Sequence, residues 1–263
     1  MKTIVITGAS GGIGAALARH LGPEGHRLVL AARRRDELTA VAKETNALAV
    51  VADVTQRTDV NRIRDEALRA FGSVDVWINN AGRGISRAAL ELTDEDFDDM
   101  MSVNVKSTLY GAQAIVPHFI ERGRGHLINI SSFLGRVPLA THRSAYNAAK
   151  AALNALTANL RVDLRRQYPA IHVSLVMPGF VTTDFARNVR GDASASAPTW
   201  VRGGTPSPAM KPQTAEEVAA AIAEVIEHPV AEVFTNPASA GLAKHYLEDV
   251  GAFEEDSRAS RPQ

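Results

Sequence analysis

Apolar residues in this chain fall into two alternating kinds of stretch. Short, β-branched, mostly apolar runs occur at Thr3–Thr7 (TIVIT), Arg27–Ala31 (RLVLA), Ala47–Val51 (ALAVV), Asp75–Asn79 (DVWIN), His126–Ser131 (HLINIS), Ile171–Val176 (IHVSLV) and Ala231–Thr235 (AEVFT). Such runs predict strands covered on both faces, because a strand with one wet face alternates apolar and polar residues. Between them apolar residues recur at helical spacing over Gly12–Leu21, Asp36–Thr45, Thr55–Phe71, Asp94–Glu121, Ser144–Tyr168 and Thr214–Glu227. Thr93 followed by Asp96 has the form of a capping box, with Asp in place of the usual Glu. The repeated strand–helix order predicts an α/β, doubly wound, Rossmann-type fold: one parallel sheet of seven strands with helices on both faces.

One segment breaks the rhythm. Phe185–Gln213 is rich in Gly, Pro, Ser and Ala without periodicity, and is expected to be a substrate-loop insertion at about 185–213. The end, EEDSRASRPQ, reads as frayed and solvated. The expected organisation is therefore one dinucleotide-binding catalytic domain over 1–250 and a flexible tail over 251–263. The length of 263 residues suits a single large sheet. Composition narrows the chemistry. The chain has no cysteine, which excludes disulfides, thiolate nucleophiles and cysteine-bound metal. No histidine spacing suggests a metal site. Formal net charge is zero, so there is no electrostatic footprint for nucleic acid or an acidic membrane. No apolar run reaches the ~20 residues of a membrane span, and MKTIVITGAS runs too soon into glycine to be a signal peptide. The expectation is a cytoplasmic enzyme.

The first strand ends in a glycine loop, TGASGGIG, with Gly8, Gly12 and Gly14 leading into a helix. Glycines there permit a tight turn and close approach to a pyrophosphate, and the helix N-terminus offers N–H donors. The spacing is Gly-x3-Gly-x-Gly, and a ligand-free turn is the bland alternative. In dinucleotide folds an acid near the end of the second strand bonds the ribose 2′-hydroxyl. Here Ala32 stands in that place and Arg33, Arg34 and Arg35 follow. A guanidinium can clamp a 2′-phosphate, whereas a carboxylate would repel it. NADP(H) is expected over NAD(H), with Arg33 the first candidate and Arg34 the second, against the alternative that these arginines begin a solvated helix.

With these elements the chain resembles the short-chain dehydrogenase/reductase family, in its single-domain branch, over roughly Lys2 to Asn236. TGASGGIG is similar to the family's cofactor loop. Asp53-Val54 is similar to its adenine-contacting pair, Asn79-Asn80-Ala81-Gly82 to its NNAG element, and Asn104 in MSVNV to its helix asparagine. Ile130–Ser132 is similar to its serine segment, Tyr146 and Lys150 to its YxxxK pair, and PGFVTT at Pro178–Thr183 to its nicotinamide-side loop. The resemblance implies a strand order of 3-2-1-4-5-6-7. It implies Asn104, Ser132, Tyr146 and Lys150 as catalytic residues. Cofactor contacts are implied from Gly8, Ser10, Gly12, Ile13, Gly14, Asp53, Val54, Asn80, Ala81, Gly82, Tyr146, Lys150, Pro178, Gly179, Val181 and Thr183, besides Arg33 and Arg34. The family usually places its serine thirteen residues before the tyrosine, which here is Phe133. Ser132 is therefore taken with one residue inserted within Arg136–Arg143, and Ser131 is the other candidate.

Tyr146 and Lys150 are i and i+4 and share a helix face. A phenol ionises near ~10, and a neighbouring ammonium favours the phenolate. Tyr146 could then give a proton to a carbonyl oxygen or take one from an alcohol, with Ser132 donating to the same oxygen. By resemblance, Lys150 binds the nicotinamide ribose and Asn104 helps to hold a relaying water. The expected activity is reduction of a ketone or aldehyde with NADPH. The alternatives are an NAD(P)-dependent alcohol or hydroxysteroid-type dehydrogenase working oxidatively, and a non-catalytic dinucleotide sensor. The resemblance implies Ile85, Phe133, Leu134, Leu139, Phe180 and Phe185 around a small-molecule substrate and a homodimer or homotetramer through the long helices, while His142 is read as a loop histidine in preference to a substrate contact.

Overall fold

A computed structural model of the protein describes residues 1–183, 189–191 and 211–259. In chain order its strands are β1 (Thr3–Thr7), β2 (Arg27–Ala32), β3 (Leu48–Val51), β4 (Val76–Asn79), β5 (Gly84–Ser86), β6 (Gly125–Ile130), β7 (Ile171–Met177), β8 (Val181–Thr182), β9 (Val189–Gly191), β10 (Gln213–Thr214) and β11 (Glu232–Phe234). The helices are α1 (Gly12–Leu21), α2 (Arg35–Glu44), α3 (Arg57–Phe71), α4 (Asp94–Met101), α5 (Ser107–Arg122), α6 (Ser144–Arg165), α7 (Ala215–Glu227), α8 (Pro237–Glu248) and α9 (Val250–Ala259). Seven strands form one parallel sheet in the order β3-β2-β1-β4-β6-β7-β11. Counted among themselves, these are the predicted strands in the predicted order.

The continuous apolar runs arise because both sheet faces are covered. Ile4 and Ile6 of β1 point to one side and pack with Leu17, Leu38 and Ile222 from α1, α2 and α7. Val5 points to the other and packs with Ile63, Ile115 and Phe119 from α3 and α5. A buried polar chain crosses this second side. Trp77 Nε1 donates to Asn79 Oδ1 (2.8 Å), Asn79 Nδ2 to Asn129 Oδ1 (2.9 Å) and Asn129 Nδ2 to Thr157 Oγ1 (3.0 Å). It ties β4 and β6 to α6, and every member has a partner, as buried polar groups require.

Three regions differ from expectation. The helix predicted over Asp94–Glu121 is interrupted by a π turn at Ser102–Lys106. Asn104 Nδ2 donates to the Met100 carbonyl (3.1 Å), the acceptor that its own N–H would use in a regular helix. The capping box at Thr93 and Asp96 forms as read. The chain expected to be a flexible tail from 251 instead forms α9, and Phe253 is buried edge-on against Tyr246, with ring centroids 5.3 Å apart. The α8 helix was also absent from the sequence reading, although Asn236-Pro237 is a cap and first-turn signal, and Asn236 Oδ1 accepts from Ala238 N (3.0 Å). Within the expected insertion at 185–213, β9 pairs with β5 and Gln213 pairs in β10 with β8. Most of the remainder, including Phe185, lies outside the described residues.

Gly111 on α5 sets how closely that helix meets the sheet. A Cβ there would stand 2.2 Å from Asn79 Oδ1 and 2.8 Å from Trp77 Nε1. Gly111→Ala should therefore lower stability by about 1–3 kcal/mol, read as a fall in Tm; an unchanged Tm would contradict this packing.

Candidate active site

In a parallel sheet the loops after the strands gather at one edge. Here they enclose a cavity of about 550 Å³. Its wall is built from the segments after β1 (Gly8 to Ile13), β2 (Arg33, Arg34), β3 (Asp53, Val54), β4 (Asn80 to Arg83), β6 (Ser131, Ser132) and β7 (Pro178 to Thr183), closed by Tyr146 and Lys150 of α6. Of the residues singled out for cofactor contact, Gly8, Ser10, Gly12, Ile13, Arg33, Arg34, Asp53, Val54, Asn80, Ala81, Gly82, Tyr146, Lys150, Pro178, Gly179, Val181 and Thr183 all line it. Gly14 does not. It lies beneath the loop, where a Cβ would come within 2.6 Å of the Gly8 carbonyl and of Asn80 Nδ2. Gly8, at φ +70°, brings the first loop against the Ala81 backbone, where a Cβ would stand 2.8 Å from Ala81 Cα.

The β2 end carries the arginines. Arg34 Nε donates to Ser10 Oγ (3.2 Å) and its guanidinium lies 3.6 Å from Glu37. Arg33 is exposed on the rim and has no ion-pair partner among the described residues. Asp53, the sole carboxylate among the described lining residues, accepts from Thr55 N (3.0 Å) and Thr55 Oγ1 (2.8 Å).

At the β6 end, α6 presents Tyr146 and Lys150 on one face, with Lys150 Nζ 5.6 Å from the Tyr146 ring centroid. Lys150 is buried, and its Nζ donates to the Ile130 carbonyl (2.9 Å). Burial pulls its ammonium from 10.5 down to about 7. Tyr146 departs from the expectation of an acidified phenol. Burial pushes it above its ordinary value, and the groups that pull it back are the Ser132 hydroxyl, which hydrogen-bonds it, and the Arg143 guanidinium. The ammonium was expected to supply that pull, but desolvation weakens its own hold on the proton. The two serines separate. Ser132 accepts from Leu134 N (3.1 Å) and faces Tyr146, whereas Ser131 Oγ donates to Asn154 Oδ1 (2.5 Å) under α6. Asn104 Nδ2 donates to the Arg83 carbonyl (3.0 Å), and Asn104 Oδ1 accepts from Arg83 N (3.4 Å).

The expected substrate residues divide. Leu134 and Phe180 line the cavity. Phe133 and Ile85 are instead fully packed in separate clusters, and Leu139 sits beside Phe133. The Leu134 wall is backed by α8 and α9, since Ala243 and Phe253 share its cluster. His142 lines the cavity and is held below its ordinary pKa by burial and by Arg143. Arg143 itself was missed. It stands just before α6, three residues ahead of Tyr146, and no spacing signal in the sequence marks it.

Comparison with known proteins agrees with this geometry. The sequence profile of the family described as short chain dehydrogenase matches residues 2–194. An uncharacterized oxidoreductase of Staphylococcus epidermidis is 36% identical over 184 residues, 69% of this chain and 79% of that protein. A short chain dehydrogenase/reductase from Burkholderia phymatum, solved with NAD, superposes with a TM-score of 0.82 at 28% identity, covering 95% of this chain and 94% of its own. An alcohol dehydrogenase from Thermococcus sibiricus, solved with 5-hydroxy-NADP, gives 0.73 at 27% identity, covering 89% and 95%. Among the described residues no helix is long and apolar enough to cross a membrane.

The buried lysine makes a prediction about stability. Its folded pKa is depressed from 10.5 to about 7, so between those values the unfolded chain holds a proton that the folded chain does not. Stability then rises with pH across that window, and the full burial penalty applies below it. Lys150→Met should therefore stabilise the cofactor-free protein most at or below pH 7, with the advantage shrinking toward pH 10.5. Denaturant unfolding across this range would contradict the assignment if the difference did not change with pH.

Proposed function

The chain belongs to the short chain dehydrogenase family, and from that premise we propose that it is an NADP(H)-dependent reductase of ketones or aldehydes. As an NAD(P)-dependent oxidoreductase it needs a dinucleotide floor, and the residues present fit one. A Cβ on Gly82 would stand 3.0 Å from Asn104 Oδ1 and 3.7 Å from Lys150 Nζ, so glycine keeps the space beside the lysine open. With this membership, and with Tyr146, Lys150 and Asn104 all in place, the sensor alternative is set aside.

The preference for NADP(H) rests on Arg33 and Arg34 after β2, with Ser10 of the β1 loop against Arg34, where among the described residues no carboxylate lines the wall except Asp53 beyond β3. The bound dinucleotide supplies the hydride. Ser132 Oγ donates to the substrate oxygen and orients it. Tyr146 Oη holds the proton that this oxygen takes. The single observation supporting the reading is that Ser132 hydrogen-bonds Tyr146 on the cavity wall beside Lys150, and burial shifts this phenol further toward its protonated form, the state of a proton donor. Lys150, held by the Ile130 carbonyl, is placed to bind the nicotinamide ribose. Asn104 acts as a positioning residue, fixing the Arg83 backbone and the π turn beside the cavity floor. Family membership also supports a homodimer or homotetramer through α4, α5 and α6.

In a screen of aldehydes and ketones followed at the nicotinamide absorbance, NADPH should support turnover better than NADH. Arg33→Ala should narrow that difference, and equal or reversed preference in the unaltered protein would remove the arginine argument. Tyr146→Phe should lower kcat by ~10²–10⁴-fold while dinucleotide binding, measured separately by calorimetry, survives. Substantial residual turnover would assign the proton to another group.

A further inference from the structure

The guanidinium of Arg143 is the feature of the cavity that dinucleotide binding leaves unexplained. It stands with Ser132, Leu134, Ala140, His142 and Tyr146 at the β6 end, while Arg33, Arg34 and Asp53 follow β2 and β3. From β2 to β6 there are three strand steps, roughly 14 Å at the usual spacing. Arg143 is thus remote from the arginines placed for the 2′-phosphate. It is half-buried, and its Nη1 donates to the Ile85 carbonyl (3.2 Å). A guanidinium has five N–H donors, and among the described residues no carboxylate pairs with this one. Of the other arginines lining the cavity, Arg83 pairs with Asp99 at 2.7 Å and Arg34 lies 3.6 Å from Glu37, while Arg33 stands exposed on the rim. A partly desolvated cation without a counter-charge is costly unless a ligand supplies one. The neighbouring side chains do not: His142 is held toward its neutral form, and Tyr146 is a protonated phenol.

Resting on the proposed reductase function, we propose that Arg143 receives a carboxylate of the substrate, so that the enzyme acts on short oxo acids and their hydroxy acids. The carbonyl carbon takes the hydride from NADPH, its oxygen takes the Tyr146 proton, and a hydroxy acid and NADP⁺ are formed. The carboxylate is unchanged and serves as the handle. The planar fork of the guanidinium suits two parallel hydrogen bonds to such a group. Leu134, Ala140 and Phe180 offer the apolar surface for the carbon chain.

The test uses pyruvate, acetoacetate and 4-oxopentanoate beside the methyl ester of each. In the NADP⁺-loaded protein, calorimetry should show at least one acid binding about ten-fold or more tightly than its ester. Arg143→Met should erase that difference and Arg143→Lys restore part of it. With NADPH, Arg143→Met should raise KM for the acid about ten-fold more than for the ester. Esters bound and reduced as well as acids would overturn the inference while leaving the reductase function standing. An equal loss for acid and ester, carried in kcat with a shifted pH profile, would make Arg143 a group that tunes Tyr146 and would also overturn it. Preference for the acid through Arg143 without hydride transfer would keep the anion site and overturn the reductase function.

Discussion

The site depends on the desolvation of two polar side chains one turn apart on α6. Lys150 is buried with its Nζ on the Ile130 carbonyl, and Tyr146 lies beside it with Ser132 on its hydroxyl. The lysine would not sit there in a helix selected for stability alone, since burial disfavours its ammonium, and the same burial holds the phenol in its neutral form. The cost is borne because the sheet fixes what surrounds them. Ile130 ends β6 and Ser132 follows it, and this strand is locked to β4 and α6 by the Asn79–Asn129–Thr157 chain. Local destabilisation against a rigid background is the condition of a site tuned for proton transfer.

The sheet order supplies the rest. Placing β1 and β4 at the centre puts the glycine loop against the Asn80–Gly82 turn, so backbone rather than side chains forms the floor. The flanking strands then deliver different chemistry to the two ends. Arginines stand at the cavity end after β2, and a serine, a tyrosine and a lysine stand at the end around β6. The C-terminal helices close the second end, because Ala243 and Phe253 pack behind Leu134.

Much of this was legible in the sequence, for identifiable reasons. The strands were readable because both faces of a parallel sheet must be apolar, and the lining residues because loops follow strand ends. Boundaries moved by a residue or two, as at β2, which runs on to Ala32. The π turn was not legible, because it depends on Asn104 capturing a carbonyl that spacing alone assigns to the ladder. α8 is short and rich in small residues, and in α9 a lone Phe253 beside acidic residues gave too little periodicity. The direction of the Tyr146 shift was misjudged because sequence reveals which charges are near but not how dry the site is. Arg143 was passed over because a loop arginine has meaning only once it is seen lining the cavity without a carboxylate partner among the described residues.

The most direct test is a titration of the phenol itself. In protein carrying ¹³C-labelled tyrosine, the resonance lost in Tyr146→Phe identifies this side chain, and its shift can be followed against pH without cofactor. The account predicts that it keeps the phenol position beyond the ordinary value of 10.0, because burial outweighs Ser132 and Arg143. Ionisation well below that value in the cofactor-free protein would show that the charges win, and would contradict a proton donor made by desolvation.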